Sequence, residues 1–321
     1  MAVYTQVDDQ TLAEFLSQYD VGEPTSFKGI AEGVENSNYL LETTKARFIL
    51  TLYEKRANPA DLPYFLALME HIAKAGLPAP LPVHDKAGNA LKTLKGRPAC
   101  LISFLTGVSV NDTGPEQCAA LGAALAGMHK ATADFDQTRP NDLSLAGWHT
   151  LAGKIGDRAD EIEPGLTALI REELAYLDAH WPAEGSLPAG TIHADLFPDN
   201  VLMLGGKVTG LIDFYFSCTD FLAYDIAVCL NSWCFDDAHA FVPVRAKRMM
   251  ENYDILRPLT ATETKALPIL ARGSALRFML TRAYDWLNPV PGAVVRPKDP
   301  RDYLLRLKFH RTVSDAAQYV V

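Results

Sequence analysis

The chain has 321 residues and a mass of 35.2 kDa, and 48% of it is hydrophobic, so it can bury a sizeable core and divide into two lobes. A formal net charge of -9 and a pI near 5.4 exclude the basic face that a nucleic-acid backbone requires, which points to a small-molecule partner. Five scattered cysteines, Cys100, Cys118, Cys218, Cys229 and Cys234, form no C-x-x-C pair and exclude a disulfide framework or zinc site, and with neither a signal peptide in residues 1–9 nor a bilayer-length apolar run the expectation is a cytoplasmic protein without a membrane partner.

In chain order, residues 11–18 read as a short opening helix, and 38–42 and 48–53 alternate like paired strands across Thr43-Thr44-Lys45-Ala46. Residues 61–75 form an amphipathic helix, ended by Gly76 and Pro78, with an inward stripe of Phe65, Leu68, Met69 and Ile72. A second hairpin is expected around Ala87-Gly88-Asn89, leading into the apolar segment 98–107. Helices follow over 117–131, 148–161, 167–180, 243–253, 263–287 and 300–319. The pattern is α+β: a small β-rich lobe, residues 1–103, then a larger helical lobe, residues 104–321. There is no repeat and no low-complexity segment.

The most informative stretch is His193-Ala194-Asp195-Leu196-Phe197-Pro198-Asp199-Asn200, followed by Asp213 in Gly210-Leu211-Ile212-Asp213-Phe214. Phosphoryl transfer needs a carboxylate to orient the acceptor hydroxyl and take its proton, and an amide oxygen and a second carboxylate to hold Mg²⁺ on the phosphates of ATP. Asp195, Asn200 and Asp213 suit those roles in that order. Val201–Leu204 and Val208–Ile212 flank Gly205-Gly206 as a hairpin, which predicts Asn200 at the start of one strand beside Asp213 at the end of the other. His193 is expected to hold the loop rather than to react. Residues 220–230 read as a capped helix with an apolar stripe of Leu222, Ile226, Cys229, Leu230 and Trp233, and Asp225 falls on it. A buried carboxylate needs hydrogen bonds, and the backbone N–H groups of the 193–200 loop are the expected donors.

The catalytic loop, Asp213-Phe214 and Asp225-Ile226-Ala227 resemble the aminoglycoside phosphotransferase and choline kinase superfamily. Together with Glu32-Gly33-Val34-Glu35-Asn36-Ser37-Asn38-Tyr39, Phe48–Glu54 and Ala275-Leu276-Arg277-Phe278 they resemble the bacterial homoserine kinases within it. The resemblance implies a protein kinase-like bilobal fold, ATP and Mg²⁺, and an amino-acid acceptor in threonine biosynthesis. It makes 98–107 the hinge between the lobes, with adenine read by backbone groups of Ser103, Phe104 and Leu105 and covered by Ile49. Read from the residues themselves, Gly29, Gly33, Asn36, Ser37 and Asn38 offer backbone and side-chain donors for a phosphate cradle.

Two expected residues are missing. The superfamily's phosphate-gripping strand lysine falls at Thr51, and its helix glutamate has no counterpart, since Glu70 lies off the inward stripe. Lys28, Arg47 and Lys55 are the candidate substitutes. For the acceptor's carboxylate, Arg277 and Arg272 flank the stripe of the long helix, with an arginine fork suited to the task, and Trp148 and Tyr215 are candidates to close the pocket. A kinase for choline or a sugar, and a nucleotide-binding pseudokinase, stay open as alternatives.

Overall fold

The computed structural model describes residues 4–30, 36–54, 58–110, 113–289 and 297–321. Gly33 and Lys55 lie outside them. The chain divides into two units, Met1–Gly107 with Thr209–Tyr215, and Val108–Val208 with Phe216–Val321. The first unit therefore runs past residue 103 to Gly107. It also takes back 209–215, where the N–H of Leu211 donates to the carbonyl of Pro78 at 2.7 Å.

In the first unit, Asp8 caps α1 (Asp9–Leu16) through the N–H of Thr11. A five-stranded antiparallel sheet runs in the order β1 (Pro24–Gly29), β2 (Asn36–Thr43), β3 (Arg47–Tyr53), β5 (Arg97–Ser103), β4 (Leu91–Leu94), with α2 (Leu62–Lys74) between β3 and β4. Alternation sorts its side chains. Tyr39, Leu41, Phe48, Leu50, Leu52 and Leu101 pack with Leu12, Phe15 and Leu16 of α1. The opposite face carries Leu40, Ile49 and Ile102 in one register row and Asn38, Thr51 and Cys100 in the next. On α2 the expected stripe of Phe65, Leu68, Met69 and Ile72 is buried. The second hairpin turns at Lys95-Gly96, between Leu94 and Arg97, rather than at 87–89. Both residues there have positive φ, 51° and 74°, whereas Ala87-Gly88-Asn89 forms a turn gathered on the Asp85 carboxylate by the N–H groups of Ala87 and Asn89.

The second unit opens with β6 (Val108–Ser109), which pairs with β8 (Val201–Leu204). Next come α3 (Pro115–Ala131), α4 (Leu145–Ile155), α5 (Leu166–His180) and β7 (Ala189–Ile192). After β8, Gly205 and Gly206, at φ 58° and 77°, make the expected tight turn into β9 (Lys207–Leu211). β10 (Cys218–Phe221) then pairs with β7, Cys218 opposite Ile192, and leads directly into α6 (Leu222–Trp233). The remaining helices are α7 (Pro243–Leu256), α8 (Ala261–Leu287) and α9 (Arg301–His310).

The close approach of α3 and α7 depends on Gly122, where a Cβ would stand 2.0 Å from the carbonyl oxygen of Met249. All five cysteines are buried and unbridged. Among the described residues no helix is long and apolar enough to cross a membrane.

Candidate active site

In the second unit, β7 delivers the chain to His193, and the backbone reverses at Ala194, whose φ of 64° is costly for a residue with a Cβ. The turn is held from α6. Asp225, fully buried as its stripe position predicts, accepts the N–H of His193 at Oδ2 and that of Ala194 at Oδ1, each at 2.7 Å. Burial works against its charge, but hydrogen bonds from His129 and from the backbone of His193 outweigh it and hold the carboxyl below its ordinary pKa. The next residues are fixed from the end of the same helix. Trp233 Nε1 donates to the carbonyl of Leu196 at 2.9 Å, with Ser232 Oγ at 3.4 Å. His193 is buried and its Nδ1 lies 3.3 Å from the N–H of Asp195, which suits the loop-holding role.

Asp195 itself is partly exposed. Asn200, buried at the start of β8, donates through Nδ2 to the carbonyl of Asp195 at 2.8 Å and to its Oδ2 at 3.3 Å. With its nitrogen so committed, the amide oxygen is the atom Asn200 can offer a cation, and that hard oxygen donor fits Mg²⁺. Among the described residues no group of three or more His, Cys, Asp or Glu side chains could hold a metal, so a cation here would depend on oxygens from its ligand.

Behind Asp225 runs a buried polar chain that the sequence reading missed. His129 Nε2 reaches Asp225 Oδ2 at 3.1 Å, and His129 Nδ1 pairs with the Tyr253 hydroxyl at 2.7 Å. Arg257 then donates to that hydroxyl at 3.0 Å and to Glu263 at 2.8 Å. Glu263 completes the capping box with Thr260 at the start of α8. One assignment satisfies every atom: Arg257 donates to Tyr253, the Tyr253 O–H to Nδ1, and Nε2–H to Asp225. The available signal was a histidine on an otherwise apolar stripe of Cys118, Leu121, Leu125 and His129.

Several expected substrate contacts have other partners. Arg277 is buried, and its Nη1 donates to the carbonyl of Ala194 while Nη2 stands 4.0 Å from Asp195 Oδ1. It therefore braces the Ala194 turn from α8 through Nη1. Arg272 forms a two-pronged buried pair with Glu173 of α5 and lies 3.7 Å over the Tyr176 ring, which makes it structural. Trp148 is core, with its indole N–H bonded to the carbonyl of Leu143 and its ring seated on Gly273 of α8.

In the first unit, the position of the missing lysine is occupied by neutral groups. Thr51 Oγ1 donates to Asn38 Oδ1 at 2.8 Å. Tyr215 also acts on Thr51, and its hydroxyl pairs with that of Tyr53 at 3.0 Å, which reaches Cys100 Sγ at 3.1 Å. The Tyr215 hydroxyl thus belongs to this hydrogen-bonded run. Glu70 sits off the stripe as expected, paired with Lys74 at 2.9 Å.

Of the proposed cradle, Gly29 is paired with Tyr39 in the sheet ladder, and Asn36 and Asn38 share the face of Thr51. Ser37 does not. It stands opposite Leu52 on the core face, where its hydroxyl donates to Glu54 and accepts the N–H groups of Tyr4 and Thr5. Arg47 stacks over the Phe104 ring at 4.4 Å, and Lys28 is exposed on the Thr51 face, opposite Leu40. In segment 98–107 the N–H of Ser103 donates to the carbonyl of Leu81 and that of Phe104 to the carbonyl of Arg47. Asp213 ends the segment after β9 with φ 65°, outside the preferred region for aspartate.

Comparison with known proteins places this geometry among phosphotransferases. The family model described as the phosphotransferase enzyme family matches residues 26–259. The homoserine kinase of Methylobacterium radiotolerans is 57% identical over 319 residues, covering 99% of each chain, and that of Agrobacterium fabrum is 55% identical, covering 99% of this chain and 98% of its own. Among solved structures, an amicoumacin kinase in complex with AMP-PNP, Ca²⁺ and Ami superposes with a TM-score of 0.71 over 97% of both chains at 16% identity. The ethanolamine kinase of Plasmodium vivax gives 0.64 over 96% of both at 14% identity. Both likenesses extend to the whole protein kinase-like α+β fold.

Proposed function

As the chain belongs to the phosphotransferase enzyme family, we propose that the braced loop around Asp195 serves the ATP-dependent phosphorylation of the side-chain hydroxyl of L-homoserine to O-phospho-L-homoserine, a step of threonine biosynthesis. One observation carries the choice of acceptor: homoserine kinases match this chain at 54–57% identity over nearly its full length. Asp195 orients the hydroxyl and takes its proton as the phosphoryl group arrives. Asn200 Oδ1 and the Asp213 carboxylate would hold Mg²⁺, which when bound neutralises charge on the nucleotide phosphates. Ile49 and the Leu105 N–H receive the adenine, while Asn36 and Asn38 face the phosphates. Use of ATP and an amino acid suits a cytoplasmic enzyme.

The test is ATP consumption by the purified chain against homoserine, choline, ethanolamine and aminoglycosides. Homoserine as the preferred acceptor by kcat/KM supports the reading. Preference for choline or an aminoglycoside overturns the acceptor, and nucleotide binding without turnover of any of them overturns the enzyme.

A further inference from the structure

Buried polar side-chain atoms without a hydrogen-bond partner are rare in folded proteins, and each costs free energy in the absence of a ligand. In the second unit, among the described residues, they are Tyr224 Oη, His239 Nδ1, Ser274 Oγ, Arg277 Nε, Tyr303 Oη and Arg306 Nε. Arg277 lies against Asp195. Tyr303 and Arg306, one turn apart on α9, form the second focus. Tyr303 is wholly buried, with its ring between two guanidinium groups, Arg282 at 4.5 Å and Arg306 at 4.6 Å, and beside Phe278 at 5.1 Å and Phe197 of the catalytic loop at 6.4 Å. Burial raises the pKa of its hydroxyl so that it remains an O–H donor, and the charges of Arg306, Arg282 and Asp195, in that order, also act on it.

The two arginines differ in what they already hold. Arg282 is paired with Asp302 at 3.0 Å. Arg306 has no carboxylate partner among the described residues. Its Nη1 donates to the carbonyl of Asn231 on α6, the residue before Ser232 and Trp233, which hold Leu196. The Nε and Nη2 edge is left over, the side of a guanidinium that takes a carboxylate through two parallel bonds. An unpaired cation and an unused buried hydroxyl thus stand together behind the catalytic loop.

We propose that the Arg306 edge and the Tyr303 hydroxyl bind the α-carboxylate of the amino-acid acceptor. This rests on the homoserine reading, and it gives α9 a part in holding the acceptor.

Steady-state kinetics with homoserine and with 3-aminopropan-1-ol, the same alcohol without the carboxylate, test it. Arg306→Gln should lower kcat/KM for homoserine by about 10- to 100-fold, leave that for 3-aminopropan-1-ol and the KM for ATP within about twofold, and so collapse the preference between the two alcohols. Tyr303→Phe keeps the ring packed and should lower homoserine kcat/KM about tenfold with an unchanged or higher unfolding midpoint, because it removes an unsatisfied group. An unaltered preference in Tyr303→Phe and Arg306→Gln, with the wild type active on homoserine, overturns the subsite alone. A wild type inactive on homoserine overturns the functional reading on which it rests.

Discussion

Replacing Asp225 by asparagine changes one atom of a fully buried side chain, and the structure fixes what that atom must do. The carboxylate accepts the N–H groups of His193 and Ala194 at 2.7 Å and His129 Nε2 at 3.1 Å. In the variant one oxygen becomes an NH₂ group, which must face a backbone N–H or the imidazole, donor against donor. At least one charge-assisted bond is lost, at about 1.5–3 kcal/mol, and a buried donor is orphaned at about 1–3 kcal/mol, giving a destabilisation of about 3–5 kcal/mol. The left-handed turn at Ala194 also loses its clamp, so kcat should fall about tenfold or more even in the folded fraction. Equilibrium urea unfolding of both proteins reads the first effect and steady-state kinetics at saturating ATP the second.

The pH dependence follows with a definite sign. Asp225 has its pKa lowered on folding, so its stabilisation is present above the carboxylate's unfolded value and is lost as pH falls through the lower folded value. Below about pH 4 the gap in stability between wild type and variant should narrow. A variant within about 1 kcal/mol of wild type, with kcat retained, would show that Asp225 does not hold the loop by charge.

Asp195→Asn should keep the fold and nucleotide affinity but lower turnover by roughly 10²- to 10⁴-fold; near-normal rates at saturating homoserine would remove Asp195 as the base. Asp213→Asn and Asn200→Ala should each raise the Mg²⁺ concentration needed for half-maximal rate, with activity partly restored at high metal, and unchanged Mg²⁺ titrations in both would disprove coordination. Restoring the superfamily's lysine with Thr51→Lys should destabilise the first unit by about 3–5 kcal/mol without tightening ATP binding, because the position is buried among the neutral side chains of Asn38, Tyr215 and Cys100. Tighter ATP binding in that variant would refute this account of the neutral site.

Much of the site was legible because its determinants are local. Asp195 and Asn200 share one short loop, Asp225 stands on an apolar stripe, and strand alternation, joined to the family resemblance, put Thr51 where a lysine was due. Alternation could also have excluded Ser37, which lies between two residues of the other face. The arginines were a different problem. A stripe shows that Arg272 and Arg277 are near a core but not what meets them, and their partners come from 99 and 83 residues away. Tyr303 and Arg306 gave no signal for the same reason, since only the folded unit shows which of its cations lacks an anion. The hairpin at Lys95-Gly96 was displaced in the reading because a lysine in a left-handed conformation is a weak turn signal beside Ala-Gly-Asn. β7 and β10, four residues each, are too short to show a period.

The neutral run from Asn38 through Thr51, Tyr215 and Tyr53 to Cys100 has a pharmacological consequence. Covalent kinase inhibitors that seek the strand lysine require an amine nucleophile, and here the corresponding place holds a threonine hydroxyl. The neighbouring Cys100 thiol is no substitute, since burial pushes its pKa up to about 12 and leaves almost no thiolate near neutral pH. A lysine-directed electrophile would therefore find no amine at this position, unlike in kinases that keep the residue.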